Sequence, residues 1–149
     1  MFFKIIKRIQ NIITMIKTFI SNWIWQLPQN LCGLVYKYIS KNNRKEIIEN
    51  TAINKLGVEA YVKTSPGSVS LGKYIFISER SKNDRNTIYH ECGHCKQSRI
   101  LGPLYLIIIG IPSITWAMLH SYIPYFWKYS YYSFYTEKLA DKLMHVKRK

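Results

Sequence analysis

Acidic residues are what this chain has least of: eight Asp and Glu stand against 22 Lys and Arg in 149 residues, a formal charge of +14. Such a balance favours polyanionic partners, either nucleic acid or an anionic membrane face. The basic residues are dispersed and no RNA- or DNA-binding motif appears, which argues against nucleic acid. Cysteine is nearly as scarce, with only Cys32, Cys92 and Cys95. Three thiols do not make a disulfide framework, so a reducing, cytoplasmic-type compartment is expected. No repeat or low-complexity segment is present, and the length is that of one domain with a modest core.

Charge is also missing from two long stretches. Thr18 to Tyr36 is uncharged, but Gln26, Pro28, Gln29 and Asn30 sit in its middle. Polar and helix-breaking residues are costly at bilayer depth unless protein covers them. The expectation is a helix, a break at Pro28, and a second short helix to about Ser40. Ile100 to Trp127 likewise contains no Asp, Glu, Lys or Arg. Gly110-Ile111-Pro112 is expected to break that run into an apolar hairpin over 100–127, re-entrant or buried, without a clean span. An aromatic cluster from Tyr122 to Tyr135 follows, fit for core packing or an interfacial belt.

At the start, Ile5, Ile9, Ile12, Ile16, Phe19 and Trp23 recur at helical spacing while Lys4, Lys7, Arg8 and Lys17 carry charge. A continuous apolar run ending in a small-residue cleavage site, as a secretory signal requires, is not evident. Residues 4–24 therefore read as a basic amphipathic helix lying in a membrane interface. Further on, Glu46 to Leu56 reads as a short helix ending at Gly57. Val58 to Thr64 and Val69 to Ser78 read as two strands of one small hairpin.

What the chain does have is Thr87-Ile88-Tyr89-His90-Glu91-Cys92-Gly93-His94, containing His-Glu-x-x-His. On a helix, His90 and His94 leave one face one turn apart, close enough for two nitrogens to reach one zinc ion. Glu91 is placed to take the proton of a water attacking a carbonyl and to return it to the leaving amine. Asn83 or Asp84 is the expected N-cap, and the helix should run to Leu101. Downstream, Tyr135-Thr136-Glu137-Lys138-Leu139-Ala140-Asp141 puts Glu137 and Asp141 four apart on a second helix, Ser133 to about Val146. Glu137 suits the third zinc ligand, and Asp141 suits the acceptor that orients a ligand histidine. His120 and His145 are the fallback ligands. Three of the eight acids thus fall in one candidate site.

The pair His-Glu-x-x-His and Glu-x-x-x-Asp resembles the gluzincin metallopeptidases, particularly the membrane-associated branch that includes the CAAX prenyl proteases. Ile100-Leu101-Gly102-Pro103-Leu104-Tyr105-Leu106 and Gly110-Ile111-Pro112-Ser113 more loosely resemble small bacterial zincins. The resemblance implies His90, His94 and Glu137 as zinc ligands, Glu91 as the catalytic residue, and Asp141 supporting a histidine. The expected fold is α+β and mostly helical: N-terminal helices in residues 1–45 and a zincin-like domain in 46–149. The expected function is zinc-dependent peptide hydrolysis near a membrane surface. A second reading rests on Cys92-Gly93-His94-Cys95-Lys96, a string found in thiol–disulfide oxidoreductases. Such a dithiol should open a helix after a buried strand, and Ser78 to Asn86 is polar. A third reading is a non-catalytic basic membrane- or nucleic-acid-binding protein.

Overall fold

The computed structural model describes residues 2–40 and 44–148. Helix α1 (Phe2–Phe19) runs through a π-helical turn (Ile20–Ile24) toward α2 (Leu27–Ile39). The break falls at Trp25–Gln26, not at Pro28, because proline is tolerated in the first helical turn, where its missing N–H has no partner to lose. No residue of α1 is buried. Its apolar face has Ile5, Ile9, Ile12 and Ile16 all about half exposed.

Strand β1 (Arg44–Ile47) occupies the start of the segment expected to be helical. Helix α3 (Thr51–Leu56) begins only where the Asn50 side chain accepts the Ala52 N–H at 2.8 Å. That bond satisfies one of the orphan donors of the first turn, and left-handed Gly57 ends the helix. Strands β2 (Glu59–Lys63), β3 (Val69–Leu71) and β4 (Tyr74–Ser78) complete a four-stranded sheet in the order β1-β2-β4-β3. The hairpin lies elsewhere than its sequence pattern implied. Gly72, at φ 63°, folds Val69–Ser78 back on itself, so β3 and β4 pair antiparallel. Such a torsion costs glycine little because it has no Cβ. β2 pairs parallel with β4 and antiparallel with β1.

Both faces of β4 are covered, so its alternation separates two cores instead of a core and solvent. Ile75 and Ile77 join Ala60, Ile53, Ile88, Cys92 and Cys95 under α3 and α4 (Arg85–Leu101). Tyr74 and Phe76 join Tyr61 beneath α2, whose Tyr36 ring meets Phe76 edge-on at 4.6 Å. The polar residues of the first uncharged run sit inside protein: Gln26, Gln29 and Asn30 are 1%, 0% and 1% exposed. Gln29 Nε2 donates to Ser98 Oγ and to the Gly102 carbonyl, and Ser98 Oγ donates to Gln26 Oε1. Asn30 Oδ1 accepts the Lys73 N–H at 2.8 Å. These bonds clamp α2 to the sheet and to the end of α4.

Helix α4 stops at Gly102, whose φ of 53° with ψ −131° leaves room for the Trp25 ring. Only glycine takes up that backbone conformation without strain. The chain then turns into a π-helical segment (Leu106–Gly110) and α5 (Ile111–Tyr122). Residues 105–122 of the uncharged run are therefore one continuous helix with a π turn, and the break expected at Gly110-Ile111-Pro112 to make a hairpin is not formed. Gly110 and Ile111 keep right-handed helical torsions, and the Ile111 N–H reaches back to the Leu106 carbonyl. That wider turn absorbs Pro112, which has no N–H to donate. Among the described residues, no helix is long and apolar enough to cross a membrane. Trp116 holds the aromatic segment against α5, stacking on Phe134 at 4.9 Å and donating its indole N–H to the Tyr131 carbonyl. The chain closes with α6 (Tyr135–Leu143).

The architecture is α+β and mostly helical. Two contacts in it are open to test. Burial works to raise the Glu59 pKa, but Lys37, Lys73 and Tyr61 hydrogen-bond its carboxylate and hold it down, from 4.5 to about 2. A depressed folded pKa means that the stabilisation is complete above pH 4.5 and is lost as pH falls toward 2. Glu59→Gln should be less stable than the parent chain in urea at pH 6, and the gap should close on acidification. At Gly93 a Cβ would stand 2.2 Å from the Ala140 carbonyl oxygen. Gly93→Ala should destabilise by roughly 1–3 kcal/mol, the usual range for overpacking, in the same denaturation assay.

Candidate metal centre

Asp84 caps α4 by accepting the N–H groups of Asn86 and Thr87, which sets the helical phase of the motif behind it. His90 and His94 then share one face, with ring centroids 4.8 Å apart. Helix α6 crosses α4 where Gly93 meets the Ala140 backbone, and this brings in Glu137. Glu137 Oε2 lies 3.0 Å from His90 Nε2 and 3.5 Å from His94 Nε2. The three residues are buried, and their ligand atoms all fall within 4.8 Å of one another. Tetrahedral zinc with bonds of about 2.0–2.1 Å spaces its ligand atoms about 3.3 Å apart, and the 3.0 and 3.5 Å separations of Glu137 Oε2 from the two Nε2 atoms bracket that spacing.

The remaining ring nitrogens fix the orientation. His90 Nδ1 lies 2.7 Å from Asp141 Oδ1, and His94 Nδ1 lies 2.7 Å from Gln97 Oε1. With a metal ion bound, an N–H at each Nδ1 would leave both Nε2 lone pairs free to face it on the Glu137 side, whereas without one the Nε2 atoms hydrogen-bond the Glu137 carboxylate. Gln97 is itself fixed, donating to the Thr136 carbonyl at 2.8 Å. Burial pushes the Glu137 pKa up, yet hydrogen bonds from His90 and His94 hold it well below the usual carboxylate range. Ser113 and Thr136 hydroxyls donate to its other oxygen at 2.6 and 2.9 Å. For His94, burial works to lower the pKa, but the bond to Glu137 and the charge of Glu91 raise it overall.

Glu91 lies in the same cleft, 5% exposed, and its Oε2 accepts the Ser70 hydroxyl at 2.7 Å. Ser70 belongs to β3, so the edge strand and the candidate base are tied together. Asp141 is gripped from outside. Past α6, His145 adopts φ 54°, the Val146 N–H returns to the Asp141 carbonyl, and Arg148 donates twice to the Asp141 carboxylate at 2.9 and 3.0 Å. The Arg148 guanidinium also covers the Tyr132 ring at 3.6 Å, and Tyr132 meets His90 edge-on at 5.3 Å.

Every residue singled out for this centre converges here: His90, Glu91, His94, Glu137 and Asp141. The fallback histidines do not. His120 points at the Tyr129 carbonyl and the Tyr131 ring, and His145 is exposed on the turn after α6. Cys92 and Cys95 face the opposite core, both 0% exposed. Burial pushes the Cys92 thiol up to about 12 and the Cys95 thiol well above its ordinary value. Four contributors had no motif to reveal them: Gln97, Ser113, Ser70 and Arg148. Only Gln97 left a local signal, lying one helical turn after His94.

Comparison of the chain with family models, with curated proteins and with solved structures finds no match. The centre therefore rests on its own geometry. Zinc titration orders its parts: Glu137→Ala removes a donor atom and should be the most damaging. Asp141→Asn should cost about 10–100-fold in affinity, typical of a residue that orients a ligand. Arg148→Ala should cost less than Asp141→Asn. A larger loss for Asp141→Asn than for Glu137→Ala would exchange their roles.

Proposed function

We propose that this chain is a zinc-dependent peptidase, a gluzincin-type hydrolase acting on a peptide or protein substrate at a membrane surface. The observation that carries the reading is the buried His90–His94–Glu137 triplet with Glu91 beside it in one open cleft. When bound there, zinc supplies positive charge that polarises a peptide carbonyl and acidifies water.

The chain's own residues account for the rest. Asp141 and Gln97 hold the two imidazoles in the tautomer that binds metal. Glu91 accepts one proton from the attacking water as its oxygen bonds to the carbonyl carbon. That proton then passes to the amide nitrogen as the C–N bond breaks. Ser70 steadies the Glu91 carboxylate through the exchange. Tyr131 lines the cleft, where its phenol O–H can donate to the developing oxyanion. Strand β3 is the sheet edge along the cleft, a template for an extended substrate.

The membrane reading is supported by the exposed apolar residues of α1 and α5 and by the distribution of charge. Residues 1–45 and 92–136 contain no acid at all, while Lys and Arg occur in both. An interfacial helix with a cationic face binds anionic headgroups in this way. The thiol reading has little to support it, because Cys92 and Cys95 are buried in mid-helix with raised pKa values, the reverse of a reactive dithiol.

Glu91→Gln should hold one zinc per chain by metal analysis and lose peptide hydrolysis, whereas His94→Ala should lose both. The double change of Cys92 and Cys95 to Ala should retain zinc. Equal cleavage by wild type and Glu91→Gln would sink the peptidase reading.

A further inference from the structure

The cleft at the triplet has a volume of about 640 Å³. That is within the usual range for a binding site, roughly 300–1,000 Å³. One wall is β3 with the turn before it, and the other is α5 with its preceding π turn. Among the described residues, the only ionisable acid or imidazole groups lining it are His90, Glu91, His94 and Glu137, and no Lys or Arg does so. In a chain with 22 Lys and Arg this is a selective exclusion. The nearby cation Lys63 is turned into the turn at 65–66, where its ammonium donates to the Ser65 carbonyl and hydroxyl and to the Pro66 carbonyl at 3.3, 3.0 and 2.9 Å. Val69, Leu71, Leu106, Ile111, Ile114 and Met118 supply the apolar lining, interspersed with hydroxyl groups and small residues.

The far wall has a second face. Ile111, Ile114 and Met118 line the cleft and are still 62%, 50% and 58% exposed, so they form its rim. Leu104 and Ile107 continue that exposed apolar row toward the elbow at Gly102. The cleft thus opens onto the apolar surface of α5, one of the two surfaces that support contact with anionic lipid.

We propose that the cleft selects an uncharged, predominantly apolar peptide segment, supplied by a protein inserted in the bilayer. This rests on the peptidase reading and adds its substrate class. Main-chain bonds to β3 are blind to sequence, so the side-chain walls decide. An apolar substrate side chain gains burial there, whereas a Lys or Asp seated on those walls, away from the metal centre, leaves water for a surface with no charged partner.

The test uses full-length, zinc-loaded Glu91→Gln in neutral detergent, with short fluorescent peptides built from Leu, Val and Ser and bearing one Lys or one Asp at a central position. Anisotropy should show binding of the uncharged peptide and a loss of roughly tenfold or more for each charged one. Met118→Asp, or Ser121→Asp at an exposed cleft position should the first fail to fold, should recover the Lys peptide and not the Asp peptide. Binding indifferent to charge, or a preference unchanged by either aspartate, overturns the proposal. Charge-indifferent binding alongside Glu91-dependent cleavage overturns the substrate class alone. Absence of cleavage by the wild type with the binding preference intact overturns the peptidase reading alone.

Discussion

The close approach of α4 and α6 at Gly93 is the constraint on which the centre depends. No side chain separates the helices there, and a Cβ would overlap the Ala140 carbonyl. All five candidate functional groups hang on these two helices: His90, Glu91 and His94 on one, Glu137 and Asp141 on the other. A carboxylate arm is short, and it reaches an imidazole on a neighbouring helix only when the backbones nearly touch. The four-residue spacing of His90 and His94 matches that of Glu137 and Asp141. At the crossing, Glu137 therefore faces both Nε2 atoms while Asp141 takes the outer Nδ1 of His90.

Burying a carboxylate is expensive, and the surroundings of Glu137 show how the cost is met. One oxygen faces the histidines, and the other accepts two hydroxyl bonds, from Ser113 and Thr136. The network extends outward through Gln97 to the Thr136 carbonyl and through Asp141 to Arg148. Each link orients the next, so both imidazoles are held in place by satisfied groups instead of by packing alone. A chain with only eight acids commits three of them to this small volume.

What could be read from the residues follows from the range of the interaction. The i,i+4 pairs are local, so the helical phase alone put His90 with His94 and Glu137 with Asp141. The N-cap at Asp84 and the stop at Gly102 are equally local and appear where the residues place them. Pairing of the strands is not local. Val69–Ser78 reads as one strand until Gly72 turns it back, and β2 joins β4 in parallel because helical layers on both faces bury that register. Ser113 and Arg148 reach the centre from 24 and 7 residues away from their partners, with no periodic pattern to announce them. Pro112 misled for a different reason: a proline ends a helix only if the turn before it cannot widen, and here a π turn does.

Helix α5 ties these threads together. Its inner side gives Ser113 to Glu137, and Trp116 anchors the aromatic segment that carries Tyr131 and Tyr132 to the cleft. Its outer side leaves Ile111, Ile114 and Met118 exposed. An uncharged run of this length resembles a membrane span in composition, yet its residues are divided between two environments. A spanning helix would be free to turn any face to lipid, whereas α5 cannot rotate without withdrawing the hydroxyl that holds Glu137. The absence of charge therefore answers to two demands at once. One face must avoid competing for the buried carboxylate, and under the proposed selection of an apolar peptide the other keeps the rim of the cleft apolar.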